Sequence, residues 1–351
     1  MKHFARSLVV GKFSPLHRGH EHLLTTALSE SDEVVVFAYN KPEFDGCEPE
    51  KKVRWFERLF PSIRAFVIHD GNVGDLLGSA SLFQSVPSED EPEDIHRRFC
   101  AELYATIVGE PLEAIFTSES YGPGFVEAVN RFFAANTDLP PTVMHREVDR
   151  ARVTVPVSAT QVRAQIHEHA GFLSPLVYRD FIHTVCFYGG ESTGKTTIAQ
   201  LLAEYFRTTW TPEYGRELWV ERDGDLSYDD MTTIAERHVL MEEQAALEAH
   251  RYLFVDTSPL TTLFYCLAKF QKATDTLKTL AERRYGHVFL CMPDIPFVQD
   301  STRVDEEFRR RQHDWYLAEL GKRQIPFTQL AGSLAERTNT VVRTLSELFP
   351  E

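Results

Sequence analysis

An eight-residue segment near the middle of the chain has the residue types and spacing of a phosphate-binding loop. It fits the pattern G-x-x-x-x-G-K-[ST], with an apolar run before it at residues 184–188 and a helix-like run after it at residues 198–206. Glycines let successive backbone N–H groups turn inward around a polyanion, and the N-terminus of the following helix adds a favourable dipole. The residues expected to hold a nucleoside triphosphate are Gly189, Gly190, Glu191, Ser192, Thr193, Gly194, Lys195, Thr196 and Thr197.

Two residues of this loop point to phosphoryl transfer from ATP. Lys195 would reach the β- and γ-phosphates, and the hydroxyl of Thr196 would bind Mg²⁺. The alternative is an ordinary glycine-rich turn between a strand and a helix, which does not explain Lys195 followed by Thr196. The sequence therefore predicts phosphate binding, with Lys195 in a catalytic role.

A second candidate site lies at the N-terminus, where His17 and His20 are three residues apart. If a helix begins at or before His17, both imidazoles share one face at its N-terminus and can donate to charge that develops on an α-phosphorus. An unremarkable surface pair is the alternative, and the position after a strand favours the phosphate site. The residues expected to bind the nucleotide beside the pair are Gly11, Lys12, Phe13, Ser14 and Pro15.

A third segment, residues 154–164, is suited to the remaining phosphates of the same nucleotide. Ser158 can cap a helix whose first turn presents Thr160 and Arg163. Hydroxyls and N–H groups at a helix start, with an arginine fork one turn later, suit β- and γ-phosphate binding. Arg163 is accordingly a candidate catalytic residue.

These segments need parallel strands to position them. The order of strand, Gly/Pro turn, helix and strand opens the chain, as in a parallel α/β sheet whose ligands bind beyond the carboxyl ends of the strands. Helices are predicted at residues 21–29, 53–60, 94–108, 229–250 and 334–349, and strands at 7–10, 33–39, 65–69, 114–119, 184–188, 252–258, 287–291 and 326–330. We therefore predict an α/β protein with two doubly wound parallel-sheet domains, at residues 1–170 and 184–351, joined by a linker at 171–183.

Further substrate-binding candidates follow the predicted strands. Trp55 could stack on an aromatic base or be a core residue, and its neighbour Arg54 faces a different direction. Polar residues at the end of the fourth strand are plausible ribose or amide ligands. They are Thr117, Ser118 and Glu119.

The second domain has a charged and aromatic cluster at residues 211–217. Glu213 and Arg216, with Tyr214 between them, could bind a ribose or a base or form a surface ion pair. Asp256 ends an apolar strand, where it could hold Mg²⁺ or accept a proton from a substrate hydroxyl. An arginine-bearing segment, Arg303 and then residues 309–311, could close as a lid over the phosphates or be a solvated helix.

The composition limits the classes of protein that fit. The chain has 351 residues, is 43% hydrophobic, has a mean hydropathy of -0.28, and contains no apolar run of membrane-spanning length. Its formal net charge of -15 argues against sequence-independent nucleic-acid binding. Five scattered cysteines favour reduced thiols, and the opening segment does not have the pattern of a secretory signal. We expect a cytoplasmic protein that could form a homo-oligomer.

The first domain resembles the nucleotidyltransferase superfamily. The signature G-x-F-x-P-x-H-x-G-H is complete between Gly11 and His20, and residues 157–163 resemble the second motif, I-S-[ST]-[ST]-x-[IV]-R, with Ala159 in place of one hydroxyl residue. Together with the phosphate loop, residues 213–216, 255–257 and 296–298 make nearly the whole chain similar to the bifunctional NadR family.

The resemblance implies a Rossmann-like nicotinamide-nucleotide adenylyltransferase followed by a P-loop ribosylnicotinamide kinase. The substrates would be nicotinamide riboside, nicotinamide mononucleotide (NMN) and ATP, with Mg²⁺ as cofactor and NAD as product. Thr257 and Ser258 would contact the riboside, although the family often has an aspartate where this chain has Ser258. Some members carry an N-terminal helix-turn-helix domain; here the first strand lies within ten residues of Met1, so repression of transcription is not implied.

Two other interpretations remain open at this point. A fusion enzyme of the coenzyme A pathway would also join a nucleotidyltransferase to a P-loop kinase, and the cluster from Glu213 to Arg216 counts against it. In the other, the P-loop domain is a nucleotide sensor that only regulates the first domain, and intact Lys195, Thr196 and Asp256 argue against that.

Overall fold

The computed structural model describes residues 2–299 and 303–350. The chain divides into two compact units, residues 1–180 (unit 1) and residues 181–351 (unit 2), and this division falls inside the segment predicted as a linker. Each unit contains a five-stranded sheet in which neighbouring strands run parallel. The predicted fold class is therefore confirmed.

Unit 1 alternates strands and helices along the chain. Its strands are β1 (Phe4–Gly11), β2 (Ser31–Tyr39), β3 (Arg64–Ile68), β4 (Ala114–Thr117) and β5 (Met144–Glu147), and its helices are α1 (Arg18–Glu30), α2 (Pro49–Leu59), α3 (Val73–Leu77), α4 (Glu93–Ile107), α5 (Gly122–Asn136), α6 (Ala159–Ala164) and α7 (Pro175–Tyr178). The strand order is β3-β2-β1-β4-β5. The direction of winding reverses between β1 and β4, and a crevice opens at that point beyond the carboxyl ends of the strands.

The central strands of unit 1 are buried on both faces. Residues 34–38 of β2 all have no exposed surface, as a parallel strand covered by helices on both sides requires. Phe37 packs with Tyr104 and Phe133 of α4 and α5 in one apolar cluster on the sheet. This core fixes where the ends of β1 and β4 lie, and so where the crevice lies.

Unit 2 repeats the same principle with a different strand order. Its strands are β6 (His183–Tyr188), β7 (Thr209–Thr211), β8 (Tyr252–Asp256), β9 (His287–Cys291) and β10 (Phe327–Leu330), and its helices are α8 (Lys195–Phe206), α9 (Tyr214–Glu221), α10 (Tyr228–Ala246), α11 (Pro259–Phe270), α12 (Asp275–Leu280), α13 (Glu306–Lys322) and α14 (Leu334–Leu348). The order is β10-β9-β6-β8-β7. Strand β6 lies between β8 and β9 in the sheet and leads into the phosphate loop. Residues of β6 belong to the apolar clusters that pack between the sheet and the helices.

The structure shifts several predicted boundaries and adds elements that the sequence patterns do not reveal. The first helix starts at Arg18 instead of Glu21, and the long helix predicted to reach His250 ends at Ala246. The edge strands β5 and β7 have no apolar run: β5 reads Met-His-Arg-Glu and three of its four residues are exposed. An edge strand of this kind is held by the backbone ladder, so its side-chain pattern carries little signal.

Candidate nucleotide-binding sites

The histidine pair of unit 1 is held at the start of α1 by backbone donors. His17 is the N-cap residue, and its Nδ1 accepts a hydrogen bond from the N–H of Gly19 at 3.1 Å. The Nδ1 of His20 accepts from the N–H of His17 at 3.4 Å. The two rings stack with their centroids 3.8 Å apart. Because both Nδ1 atoms accept, the neutral form of each ring carries its proton on Nε2.

Burial keeps both imidazoles neutral at physiological pH. Burial, with a smaller contribution from the positive charges of Arg152 and Arg163, lowers the pKa of His17 to about 4. Burial also brings the pKa of His20 well below its ordinary value, with the charge of His17 as the next cause. The pair therefore provides neutral Nε2–H donors at pH 7.

Two cavities of unit 1 meet at this pair. The smaller, of about 170 Å³, is lined by both histidines and by Ser158 and Thr160. The larger, of about 570 Å³, is lined by residues 10–13 and by side chains of α4. The residues common to both linings are His20, Ser118 and Glu119. His20 thus lies where ligands in the two cavities would come together.

The second motif packs against the first through Arg163. Ser158 caps α6 as predicted: its Oγ accepts from the N–H of Gln161 at 3.2 Å. Arg163 donates to the carbonyl of Ser14 at 2.5 Å and to Thr160 Oγ1 at 3.3 Å, and its guanidinium carbon lies 4.0 Å from the ring centroid of Phe44. Arg163 therefore ties the loop after β1 to α6.

Some predicted residues of unit 1 do not line either cavity. Trp55 is 1% exposed and donates its indole N–H to Asp180 at 2.7 Å, and Arg54 contacts the same carboxylate at 2.7 Å. The stacking of Trp55 on a base is therefore wrong for this structure, because the ring is buried in the core. Thr117 is also buried, 2.8 Å from His145 Nε2. Lys12 lines the larger cavity and is paired with Glu89.

The phosphate loop of unit 2 has the conformation that its glycines predict. Gly194 is the N-cap of α8 with φ of 82°, in the left-handed region that favours glycine. Lys195 curls back over the loop and donates to the carbonyls of Gly189 and Gly190 at 3.0 Å. A bound phosphate would offer the ammonium a stronger, charged acceptor than these carbonyls.

Buried side chains from α13 and α14 hold this loop from behind. Gln312 accepts from the N–H of Glu191 at 3.0 Å, and Arg337, which is 3% exposed, donates to the carbonyl of Thr193 at 2.8 Å. Arg309 is 2% exposed and donates to the carbonyls of Pro293 and Ile295 in the segment after β9. These residues stabilise the loop and do not reach into it.

The same loop is tied to the segment after β9 by two of its own side chains. Ser192 Oγ accepts from the N–H of Val298 at 3.0 Å. Glu191 accepts from the N–H of Val304 at 2.8 Å and from the hydroxyl of Tyr265 at 3.1 Å. Arg303 also contacts Ser192 Oγ, at 3.5 Å. The segment predicted as a lid is therefore joined directly to the phosphate loop.

Asp256 lies at the end of β8 beside the loop, as the sequence predicts. It is 1% exposed, and its Oδ2 accepts from Thr196 Oγ1 at 2.5 Å. Its Oδ1 is buried and has no hydrogen-bond partner within the described part of the chain. The pKa of Asp256 is raised to about 6, chiefly by burial and then by the charge of Glu213, while Lys195 opposes the rise.

A cavity of about 340 Å³ is lined by Lys195 and by Thr257, the residue that follows Asp256. Its predicted lining residues are Glu191, Lys195, Glu213, Arg216, Thr257 and Arg303. Arg311, from the segment predicted as a lid, also lines it, and lining residues that no sequence pattern indicated include Trp219, Thr261, Thr262, Tyr265, Lys269, Phe308 and Gln312. They come from α9, α11 and α13, where helical patterning gives no reason to separate a cavity face from a core face.

Several predicted residues of unit 2 have other roles in the structure. Ser258 is the N-cap of α11 and also lies 2.7 Å from the hydroxyl of Tyr188, so its oxygen is engaged inside the protein. Tyr214 packs against the apolar core, and Thr197 is exposed. None of the three lines the cavity. Arg309 is buried, whereas Arg310 and Arg311 are exposed, so the alternative of a solvated helix holds for these two; Arg311 also lines the cavity.

Neither a preformed metal cluster nor a membrane span is found in the part of the chain that the structure describes. No group of three or more His, Cys, Asp or Glu side chains is arranged to hold a metal ion there, and no helix is long and apolar enough to cross a bilayer. Thr196 and Asp256 are nevertheless hard oxygen donors, the kind that Mg²⁺ uses together with phosphate and water. Thr196 Oγ1 and Asp256 Oδ2 lie 2.5 Å apart beside the loop, which fits such a cation.

Known proteins resemble both units. A family model described as an AAA domain matches residues 184–337. The trifunctional NAD biosynthesis/regulator proteins NadR of Salmonella typhimurium and Escherichia coli have 26% and 27% sequence identity to this chain. The aligned region covers 84% of this chain and 71% of each relative. Solved structures of NadR in complex with NAD and AMP-PNP, and with NR, superpose with TM-scores of 0.69 and 0.70. Their identities are 21% and 20%, they cover 99% and 100% of this chain, and 97% and 98% of the solved chains is matched. The resemblance to the NadR family is confirmed.

Gly19 is required by the close approach of the His17 ring. A Cβ at Gly19 would lie 2.9 Å from His17 Cε1, so Gly19→Ala should displace the imidazole while lowering the unfolding temperature little. Nitrogen NMR of labelled histidines should show shifted His17 and His20 signals. Gly171→Ala is the matched control, because nothing lies within 4 Å of its added Cβ. Unchanged imidazole signals in Gly19→Ala would contradict this account of the cap.

Asp256→Asn should stabilise the metal-free protein at neutral pH. The unfolded carboxyl titrates near 3.9 and the folded one at about 6, so the folded state holds the extra proton between these values. Stability therefore falls as pH rises through this window, and the full cost is present above it. In EDTA, the melting temperature of the variant should exceed that of the wild type at pH 7.5, by about 2–4 °C per kcal/mol recovered.

At pH 4 most of this gain should vanish, because the folded carboxyl then carries the proton and about half of the unfolded carboxyls do. Asp314→Asn, which removes an exposed carboxylate of α13, is the matched control and should show no comparable pH-dependent gain. A gain for Asp256→Asn that is equal at pH 4 and pH 7.5 would refute the assignment of a buried, charged carboxylate.

Proposed function

We propose that this relative of the NadR proteins is a bifunctional enzyme of NAD salvage. Unit 2 phosphorylates nicotinamide riboside with ATP to give NMN, and unit 1 transfers AMP from a second ATP to NMN, giving NAD and pyrophosphate. The observation that carries the proposal is the presence, in one chain, of a neutral histidine pair at a nucleotide cavity and a phosphate loop that opens onto a nucleoside-sized cavity. The NadR relatives are described as NAD biosynthesis proteins, and the solved NadR complexes contain NAD and NR.

In unit 1 a phosphate oxygen of NMN attacks the α-phosphorus of ATP, and the bond to pyrophosphate breaks. The Nε2–H groups of His17 and His20 donate to the oxygens on which charge develops. Ser158, Thr160 and Arg163 bind the β- and γ-phosphates of the leaving group. The low pKa of His17 supports a role as a neutral donor, which needs no change of protonation between pH 6 and 8.

In unit 2 the 5′-hydroxyl of the riboside attacks the γ-phosphorus of ATP, and the bond to ADP breaks. Lys195 and the N–H groups of the loop bind the phosphates. Asp256 Oδ1, buried and without a partner among the described residues, accepts the hydroxyl proton, and a pKa of about 6 suits a base that works near neutral pH.

Thr196 and Asp256 Oδ2 would hold Mg²⁺ in unit 2. When bound, the cation neutralises charge between the β- and γ-phosphates. The hydrogen bond of 2.5 Å between the two side chains already places both oxygens beside the loop. Removing either oxygen should therefore weaken cation binding.

The cavity beside Asp256 suits a nucleoside with a cationic aromatic base. Glu213 and Arg216 face each other at 3.9 Å and can bind ribose hydroxyls. Trp219, Tyr265 and Phe308 offer aromatic surface, and aromatic faces attract a cationic ring. Because Ser258 is engaged as a helix cap, Glu213 and Thr257 are the residues that contact the ribose hydroxyls of the substrate.

We also propose that both reactions take place in the cytoplasm. All five cysteines are free and buried, in agreement with a reducing compartment.

A product assay on the purified protein tests the function. ATP and Mg²⁺ are supplied with nicotinamide riboside in one tube and NMN in the other, and we expect NAD in both. NAD from NMN alone would leave unit 1 as proposed and make unit 2 a nucleotide sensor or a kinase for another acceptor. Turnover of phosphopantetheine and dephospho-coenzyme A, with none of the nicotinamide compounds, would replace the proposal with the coenzyme A pathway.

Single substitutions should separate the two activities. Lys195→Ala should abolish riboside phosphorylation and spare adenylyl transfer, and His20→Ala should do the reverse, because each removes a group that stabilises one transition state only. Loss of such a group typically costs about 3 kcal/mol, roughly a hundredfold in rate. Each variant is the control for the other, and loss of both activities in either one would contradict independent sites.

A further inference from the structure

The loop that follows β5 is organised around one carboxylate, that of Asp149. Its Oδ1 accepts from the N–H of Val153 at 2.8 Å, and both its oxygens accept from the N–H of Thr154 at 3.1 Å. Oδ2 also accepts from the N–H of Val155 at 3.1 Å. The carbonyl of Asp149 accepts from the N–H of Arg152 at 2.8 Å. The backbone of the loop is therefore fixed around Arg152.

Arg152 lines the smaller cavity of unit 1 together with His17, His20 and Thr160. Its guanidinium is close enough for its charge to lower the pKa of both imidazoles. Arg152 belongs to neither of the two nucleotidyltransferase motifs, which span residues 11–20 and 157–163. A second arginine therefore faces the place where charge would develop.

The contacts of Arg152 differ from those of Arg163 in the same unit. Arg163 is half-buried and donates to a backbone carbonyl and to Thr160, while its face covers Phe44. Arg152 is paired with Glu119 at 3.0 Å, and both side chains are about half exposed. Glu119 lines the cavity too. An exposed pair of this kind contributes little stability, so exchanging its carboxylate for a phosphate costs little.

We propose that Arg152 is a further phosphate-binding residue of unit 1, and that Asp149 is the residue that positions it. The proposal rests on the adenylyl transfer proposed above. When ATP binds, the guanidinium exchanges Glu119 for the triphosphate, which it can contact through two parallel N–H bonds. We assign the triphosphate instead of the phosphate of NMN because Arg152 shares its cavity with Ser158 and Thr160.

The negative charge of the chain explains why a further cation is needed at this site. A formal net charge of -15 repels ATP and pyrophosphate, so local cations must offset it at the site. Lys12 is paired with Glu89, and Arg163 is engaged with Ser14 and Thr160. Arg152 is paired with Glu119, and both residues line the cavity. A ligand that binds there can therefore replace Glu119 as the partner of Arg152.

The test compares Arg152→Ala with Arg150→Ala. Arg150 is in the same loop, is exposed, pairs with Glu147 at 3.5 Å and lies outside the lining of the cavity. Arg152→Ala should lower kcat/KM for ATP about 10- to 100-fold in adenylyl transfer, with a smaller change in KM for NMN, and Arg150→Ala should leave both unchanged. Arg152→Lys should recover part of the loss.

Two further readouts separate phosphate binding from a structural role. Removing the positive charge should raise the pKa of His17, so the acid limb of the pH profile should move upward in Arg152→Ala. Asp149→Ala should cause a comparable loss, and the double variant should lose no more than either single one, because both act through the same contact. The melting temperature reports whether unit 1 folds in these variants, and unchanged kinase activity shows that unit 2 is unaffected.

Binding is also measured directly, so that the result does not depend on turnover. Histidine NMR signals of His17 and His20 report ATP at unit 1 only, whatever binds at the phosphate loop of unit 2. We expect Arg152→Ala to weaken this binding about tenfold or more. Unchanged affinity and an unmoved acid limb would overturn the inference, as would equal losses in Arg150→Ala or a loss confined to NMN. A wild-type protein that binds ATP here but makes no NAD from NMN would overturn the proposed function alone.

Discussion

Parallel strands end at one edge of a sheet, and this constraint determines where every candidate group lies. In unit 1 the residues that line the cavities follow β1, β4 and β5, and in unit 2 they follow β6, β8 and β9. The central strands are buried on both faces and, apart from residues at their carboxyl ends, offer no side chains to a ligand. Chemistry is therefore confined to the first few residues after each strand and to the helices that cover that edge.

The two sites handle phosphate charge differently. Unit 1 keeps its imidazoles neutral by burial, and places positive charge on arginines that have other partners when no ligand is bound. Unit 2 keeps a carboxylate buried beside a lysine, at a cost in stability that the ligand-free protein carries. Both arrangements are typical of sites whose groups are prepared for a charge that only the reaction supplies.

The motifs could be predicted from the sequence because their chemistry depends on neighbours along the chain. His17 caps its helix through Gly19, and Ser158 caps α6 through Gln161, so local spacing was sufficient. The predicted roles that the structure does not support belong to residues whose partners are distant in the sequence. Trp55 is buried and donates its N–H to Asp180, 125 positions away in the chain, and Ser258 is engaged with Tyr188, 70 positions away. The aromatic lining of unit 2 could not be predicted either, because a helix side chain that faces a cavity has the same pattern as one that faces the core.

The phosphate loop of unit 2 is usually described by its glycines, lysine and threonine, with the remaining positions left free. In this chain two of those free positions, Glu191 and Ser192, hold the segment that follows β9 through the N–H groups of Val304 and Val298. A loop transplanted from another P-loop protein could keep every residue of the motif and still release that segment. The variable positions of the pattern therefore determine how the loop is attached to its own protein. Only the glycine, lysine and threonine positions are interchangeable between proteins.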